Sequence, residues 1–227
     1  MSVPCITIDG PAGVGKGTVS QRLARLAGWH YLNSGALYRV LGIQAQRSSL
    51  DFNDDVALAA LAEGLQIQFR LDDGGASVML AGEDVSDELV AESTGTAASK
   101  VASVPAVRTA LLHRQRHFLQ SPGLVAEGRD MGSVVFPTAG LKIFLDASAE
   151  ERARRRCKQL KDNGLSGSLR AVLLEIQDRD KRDRERSVSP LFPAEDAIII
   201  DTTALTVDQV MDQILELCGE RRLFTAI

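Results

Sequence analysis

Cysteine is scarce in this chain. Cys5, Cys157 and Cys218 are the three among 227 residues, odd in number and at no metal-ligand spacing. That excludes a disulfide scaffold or a cysteine zinc site, and the three read as reduced thiols of a cytoplasmic protein. No apolar run approaches the roughly 20 residues of a membrane span, and the first, from Cys5 to Ile8, is strand-length rather than signal-like. Low-complexity tracts and internal repeats are missing too, so neither a disordered tail nor a solenoid is expected. Aromatics make up 4% and the formal charge is −4, which excludes a chain that binds long polyanions along its whole surface. The charge is nevertheless uneven. Between Glu151 and Arg186 there are 12 Lys/Arg against 7 Asp/Glu, a local +5 that leaves −9 for the rest. A basic segment on an acidic protein points to a small anionic ligand.

What is present begins with Gly10-Pro11-Ala12-Gly13-Val14-Gly15-Lys16-Gly17-Thr18, directly behind the run Cys5-Ile6-Thr7-Ile8. A strand, a glycine-dense turn and an amphipathic helix are the layout of a phosphate-binding P-loop. Glycines let successive backbone N–H groups point inward, the helix aims its positive end at the same spot, and Lys16 adds a full charge. The Walker A spacing holds through Lys16, but its eighth position is Gly17 and the hydroxyl arrives at Thr18. Gly-Lys-Gly-Thr resembles the variant of nucleoside monophosphate kinases, in which that threonine meets Mg²⁺. A turn with an incidental lysine would not explain the strand before it and the helix after it.

Along the chain, Val19, Leu23, Leu26 and Ala27 stripe the first helix, which Gly28 ends. Trp29 to Leu32 reads as a second strand. Asn33-Ser34-Gly35 opens the next helix, where Ser34 and Arg39 sit one turn apart at a strand's carboxyl end and so could meet a second phosphate. Alternation at Leu65, Ile67, Phe69 and Leu71, a turn at Asp72 to Gly75 and a return strand Ser77 to Leu80 predict an antiparallel insertion, expected to cover the acceptor site. A helix runs from Val104 to Leu119 with Pro105 in its first turn; His113 and His117 at i, i+4 read as a solvated face. Leu124 to Ala126 is a third strand ending in Glu127-Gly128-Arg129-Asp130, and Leu141 to Leu145 is a fourth. Ala197 to Ile200 is expected to be a fifth, fully buried strand, and Thr206 with Gln209 forms a capping box.

The basic segment makes two helices. On the first, Arg152, Arg155 and Arg156 share a face and Arg154 points away; the break from Asp162 to Ser168 has the texture of a mobile lid tip. On the second, Arg179, Arg182, Asp183 and Arg186 occupy one narrow arc, while Asp180 and Arg184 point elsewhere. Three arginines and an aspartate on one face suit phosphate and ribose. Phosphoryl transfer needs positioning, charge neutralisation and exclusion of water, and these parts meet all three needs.

Over essentially its full length the chain resembles the bacterial cytidylate kinases. The likeness is carried by Ile8-Asp9-Gly10-Pro11, Gly15-Lys16-Gly17-Thr18, Ser34-Gly35-Ala36 with Tyr38-Arg39, and Gly128-Arg129-Asp130-Met131-Gly132. Phe144 to Ser148 and the stretch Arg179 to Arg186 complete it. The resemblance implies an α/β P-loop three-layer fold with a five-stranded parallel sheet, a small antiparallel β unit and a short helical lid. It implies a core of residues 1–32, 105–150 and 169–227, a monophosphate-binding region 33–104 with its insertion at about 63–92, and a lid at 151–168. ATP phosphates would lie on Gly10 to Thr18, with Thr18 on Mg²⁺. Ser34, Arg39, Arg129 and Arg186 would hold the phosphate of CMP or dCMP; Ser99, Arg108 and Asp130 would face cytosine; Arg179 and Asp183 would take the sugar hydroxyls. Lys16, Arg129, Arg186 and a lid arginine, Arg155 or Arg156 with Arg155 put first, would act on the transferring group. A carboxylate can accept from cytosine's amine and an arginine can donate to N3 or O2, which uracil cannot satisfy in full. The expected protein is a cytoplasmic monomer with no nucleic-acid or membrane partner. The alternatives are a kinase for UMP, AMP or dephospho-coenzyme A, and, more distantly, a nucleic-acid-binding ATPase. Two positions depart from the family pattern: Asn33 and Glu127 both stand where aspartate is expected.

Overall fold

The apolar runs that read as parallel strands all form them. In a computed structural model, which describes residues 3–72, 75–162, 164, 167–185 and 188–224, they are β1 (Cys5–Asp9), β2 (His30–Asn33), β6 (Leu124–Gly128), β7 (Leu141–Asp146) and β8 (Ile198–Asp201). Their order is β2-β6-β1-β7-β8, all parallel. Parallel neighbours need crossover connections, and here helices supply them on both faces. On one face α1 (Lys16–Ala27) and α8 (Val207–Glu220) bury Val19, Leu23, Val210 and Ile214 against Ile6, Ile8, Val125 and Ile143. On the other, α2 (Ser34–Arg47), α3 (Asp55–Glu63), α4 (Glu92–Ala102) and α5 (Pro105–Arg116) pack on Leu32, Leu124 and Ala126. Pro105 opens α5, the αL residue Gly28 closes α1, and Thr206 and Gln209 form the expected capping box.

Register brings the strand ends into one line. Asn33 lies opposite Glu127, and Asp9 lies opposite Gly128 and Phe144. Every loop that reads as functional therefore leaves the same edge of the sheet. Cys5 and Cys218 are buried, and burial pushes their thiols up to about 12 and about 11, so both are poor nucleophiles.

Three expectations change. β8 is not fully buried: it lies at the sheet's edge with β7 as its neighbour, and Ile199 is 61% exposed. Leu26 also faces out, at 55% exposure, because the helical stripe that packs on the sheet ends at Leu23 and Ala24. The inserted strands β3 (Ile67–Asp72), β4 (Gly75–Leu80) and β5 (Glu83–Asp84) do form an antiparallel sheet, although Asp73 and Gly74 of its turn lie outside the described residues. Its contacts run to the edge strand β2 and to α2: the Phe69 ring meets Tyr31 edge-on at 5.9 Å and Phe118 at 5.5 Å, and Arg47 of α2 pairs with Glu83 at 2.8 Å. An insertion in that position shields a strand edge.

The two basic helices are α6 (Ala149–Asp162) and α7 (Leu169–Glu185), joined through Ala153, Val172 and Ile176. Asn163, Leu165 and Ser166 of the expected lid tip lie outside the described residues. Arg152 does not present its charge alongside Arg155 and Arg156. It is 3% exposed and donates two hydrogen bonds to Asp180, at 3.0 and 2.5 Å, with further bonds to the Ala147 and Ala12 carbonyls. Asp180, which points away from the arginine arc as expected, is thus the buried partner that ties α7 to α6. Removing one member of such a pair strands the other charge. Asp180→Ala is expected to lower the unfolding free energy by about 3–5 kcal/mol in denaturant titration. Arg154→Ala, at the exposed side of the same helix, is expected to change it by less than about 1 kcal/mol.

Candidate active site

The P-loop is shaped by close approach. Gly10 has φ 144°, and a Cβ there would lie 2.1 Å from the Leu145 carbonyl oxygen, so only glycine lets the loop leave β1 beside β7. Gly15 sits in αL and hands the chain to α1. Lys16 is buried, and its Nζ donates to the carbonyls of Gly10, at 2.8 Å, and Pro11, at 2.7 Å, so the ammonium is folded back over its own loop. Thr18 is exposed in the first turn of α1.

The acceptor-side residues come together across 100 residues of sequence. Asn33 caps α2 by accepting from the Ala36 N–H at 3.0 Å. Ser34 follows it, buried against Gly128, where a Cβ would fall 2.4 Å from Ser34 Oγ. Arg39 donates to the Leu89 carbonyl at 2.7 Å. Arg129 Nε donates to Asp183 at 2.9 Å, so the residues expected on the phosphate and on the sugar are paired with each other. Arg108 and Asp130 are both buried and meet at 2.5 Å. Arg108 Nε is buried with no partner among the described residues, a donor with nothing to donate to. Tyr38, which sequence reasoning left without a role, places its ring 5.8 Å from the Arg108 guanidinium; it belongs to the motif Tyr38-Arg39, so the signal was present.

Not every expected residue joins them. Ser99 stays on the exposed side of α4 and donates to the Gly95 carbonyl at 3.1 Å. Arg186 lies outside the described residues. Arg155 is held by Thr202, at 2.5 and 3.1 Å, by Glu151 and by the Val14 carbonyl. Arg156 bonds only as far as Gln159, and its charge reaches Arg39.

The electrostatics are those of an anion trap. Burial lowers the pKa of Arg39, and Arg156 and Arg129 lower it further. Burial and then Arg129 bring Arg179 down to about 10. Lys16 is depressed first by burial and next by Arg129, against the pull of Glu127 and Asp9. Five cations from five segments repel one another around one cleft, an arrangement relieved by a polyanion. His113 and His117 stand apart and exposed, and no group of three metal-ligating side chains occurs among the described residues.

Asp9 was missed as a working residue. Its carboxylate accepts from the backbone N–H groups of Met131 and Gly132, at 2.9 and 2.8 Å, and so fixes the loop that carries Arg129 and Asp130 to the strand that carries the P-loop. Two residues 122 positions apart give no local signal for such a bond.

A sequence profile of the family described as cytidylate kinase matches residues 6–220. The cytidylate kinase of Vibrio cholerae is 56% identical over 213 residues, 94% of this chain and 95% of that one. That of Aeromonas hydrophila is 54% identical over 212 residues, 93% and 92% of the two chains. Among solved structures, an uncharacterised protein from Eubacterium ventriosum superposes with a TM-score of 0.52 at 12% identity over 96% of this chain and 98% of that one, a likeness of fold alone.

Burial raises the Asp9 carboxyl from 3.8 to about 6. The folded chain then binds that proton more tightly than the unfolded chain does, so the group's contribution to stability falls as pH rises from 3.8 to about 6. Denaturant titrations of the wild type and Asp9→Asn across this window are expected to show the wild-type advantage shrinking by on the order of 3 kcal/mol, then staying flat above it.

Proposed function

The chain belongs to the cytidylate kinase family, and we propose the residue roles that let it transfer the γ-phosphoryl group of ATP to CMP and dCMP. The observation that carries the base assignment is the buried Arg108–Asp130 pair with its unpartnered Nε. A cytosine set against it would give its amine to Asp130 and take a hydrogen bond from Arg108, while Tyr38 lies beside the guanidinium. Uracil would turn an oxygen toward the carboxylate. UMP, AMP and dephospho-coenzyme A are therefore not the favoured acceptors.

Gly10 to Thr18 would wrap the phosphates of ATP, with Lys16 exchanging two loop carbonyls for phosphate oxygens. Ser34, Arg39, Arg129 and Arg186 would hold the acceptor phosphate, leaving Asp183 and Arg179 for the sugar hydroxyls. Ser99 would meet the base by turning its hydroxyl from Gly95. Among the lid arginines, Arg156 is the better placed to follow the transferring group, because Arg155 already has four acceptors at the β8 end of the P-loop. The donor set suits Mg²⁺: the Thr18 hydroxyl is exposed at the loop, and the Asp9 and Glu127 carboxylates lie close enough to act on Lys16. Bound with ATP, that ion would neutralise charge developing between the β- and γ-phosphates. No helix among the described residues is long and apolar enough to cross a membrane; a cytoplasmic monomer fits the reduced thiols and the net charge.

ADP release from ATP and Mg²⁺ across a panel of monophosphates is expected with CMP and dCMP, and kcat/KM for UMP is expected to be lower by about 10²-fold or more. Silence with both cytidine nucleotides would refute the proposal. Lys16→Ala is expected to lower kcat by about 10²–10³ for every acceptor alike. Arg108→Ala is expected to raise KM for cytidine nucleotides by on the order of tenfold to a hundredfold; equal losses for all acceptors would count against base reading.

A further inference from the structure

The two departures from the family pattern, Asn33 and Glu127, face each other across β2 and β6. Between them stands Tyr31. Its Oη donates to Glu127 Oε1, and the side chains of Gln21 and Asn33 lie beside the phenol. Asn33 Oδ1 accepts from the Ala36 N–H, so Nδ2 is the donor end of its amide. The four side chains come from β2, β6 and α1.

The cluster ends at the donor site. Glu127 is 5% exposed and lies beneath the first turn of α1, where a Cβ on Gly17 would already touch its Oε1 at 3.4 Å. A glutamate carries its carboxylate one methylene farther than an aspartate and has one more torsion to fix. Left free, that longer stem could swing toward Lys16 or Arg129 and occupy the place of a phosphate. The tyrosine ring is itself immobilised, 4% exposed and set edge-on against Phe69 of the inserted sheet. Burial and the neighbouring Glu127 raise the phenol, so it stays a donor.

Granted the kinase activity assigned above, we propose that Tyr31 is a positioning residue for phosphoryl transfer: its hydroxyl tethers the Glu127 carboxylate under the P-loop helix. The tether lets a glutamate serve at the end of β6.

The test is a double-mutant cycle on the full chain with Tyr31→Phe, Glu127→Asp and both together, measuring kcat and KM for ATP and CMP and the Mg²⁺ dependence of kcat. Phenylalanine keeps the ring contacts and removes only the donor. Tyr31→Phe is expected to lower kcat/KM for ATP about tenfold, with KM for CMP within about twofold. The shorter acid needs no tether, so Tyr31→Phe/Glu127→Asp is expected to recover at least half of that loss. A Tyr31→Phe enzyme with wild-type kinetics and Mg²⁺ dependence, or a double variant as slow as the product of the singles, would overturn the proposal. If Tyr31→Phe does not fold, Phe69→Leu, which removes the ring that holds Tyr31 edge-on, is expected to show the same selective loss toward ATP, and its absence would count as refutation. An inactive wild type would instead remove the kinase assignment itself.

Discussion

Repulsion among gathered cations is the constraint around which this molecule is built. Lys16, Arg39, Arg129, Arg156 and Arg179 act on one another, and burial has already weakened the hold of Lys16, Arg39 and Arg179 on their protons. A chain can hold such a set without ligand only if carboxylates are placed among them and the scaffold does not yield. Asp9, Glu127, Asp130 and Asp183 supply those carboxylates, three of them at or just beyond the carboxyl ends of β1 and β6 and the fourth on α7. A parallel sheet puts all its strand ends on one edge, which explains how this architecture can gather so many charges at one side of a mainly apolar core.

The acids are not interchangeable. Asp9 takes two backbone N–H bonds and holds a loop, whereas Asp130 pairs with Arg108 at the depth of a base. Asp183 holds Arg129 from α7, a contact that a bound nucleotide would share or replace. Specificity for an acceptor and readiness for a donor thus draw on different carboxylates. The inserted sheet reaches the donor side through Phe69 and Tyr31.

Much of this was legible in the sequence because it is contiguous. The P-loop, the Asn33 cap, the capping box at Thr206 and the five strands each write their signature within a few residues. What could not be read depends on distance or on sheet position. Arg152 and Asp180 are 28 residues apart; the one read as part of an arginine face and the other as pointing away from a second, and only packing makes them partners. Ile198 to Ile200 is an apolar run that would suit a central strand equally well; strand order alone decides that Ile199 faces outward. Tyr31 read as one more strand residue, since nothing local says that its hydroxyl ends on a carboxylate from β6. Ser99 was placed at the base by family likeness alone, and its hydroxyl bonds the Gly95 carbonyl of its own helix.

Arg152 fixes the first turn of α6 to Asp180, to Ala147 and to the P-loop at Ala12. Mechanically that makes it a hinge pin close to one end of a lever. A rigid swing of α6 about that point would move Arg156, about 6 Å away along the axis, far less than Asp162, at about 15 Å. The same rotation would therefore nudge a charge by a small, controllable stroke while sweeping the far end through an arc more than twice as wide. Fine adjustment and broad coverage would come from one motion, set by where along the helix each side chain is mounted.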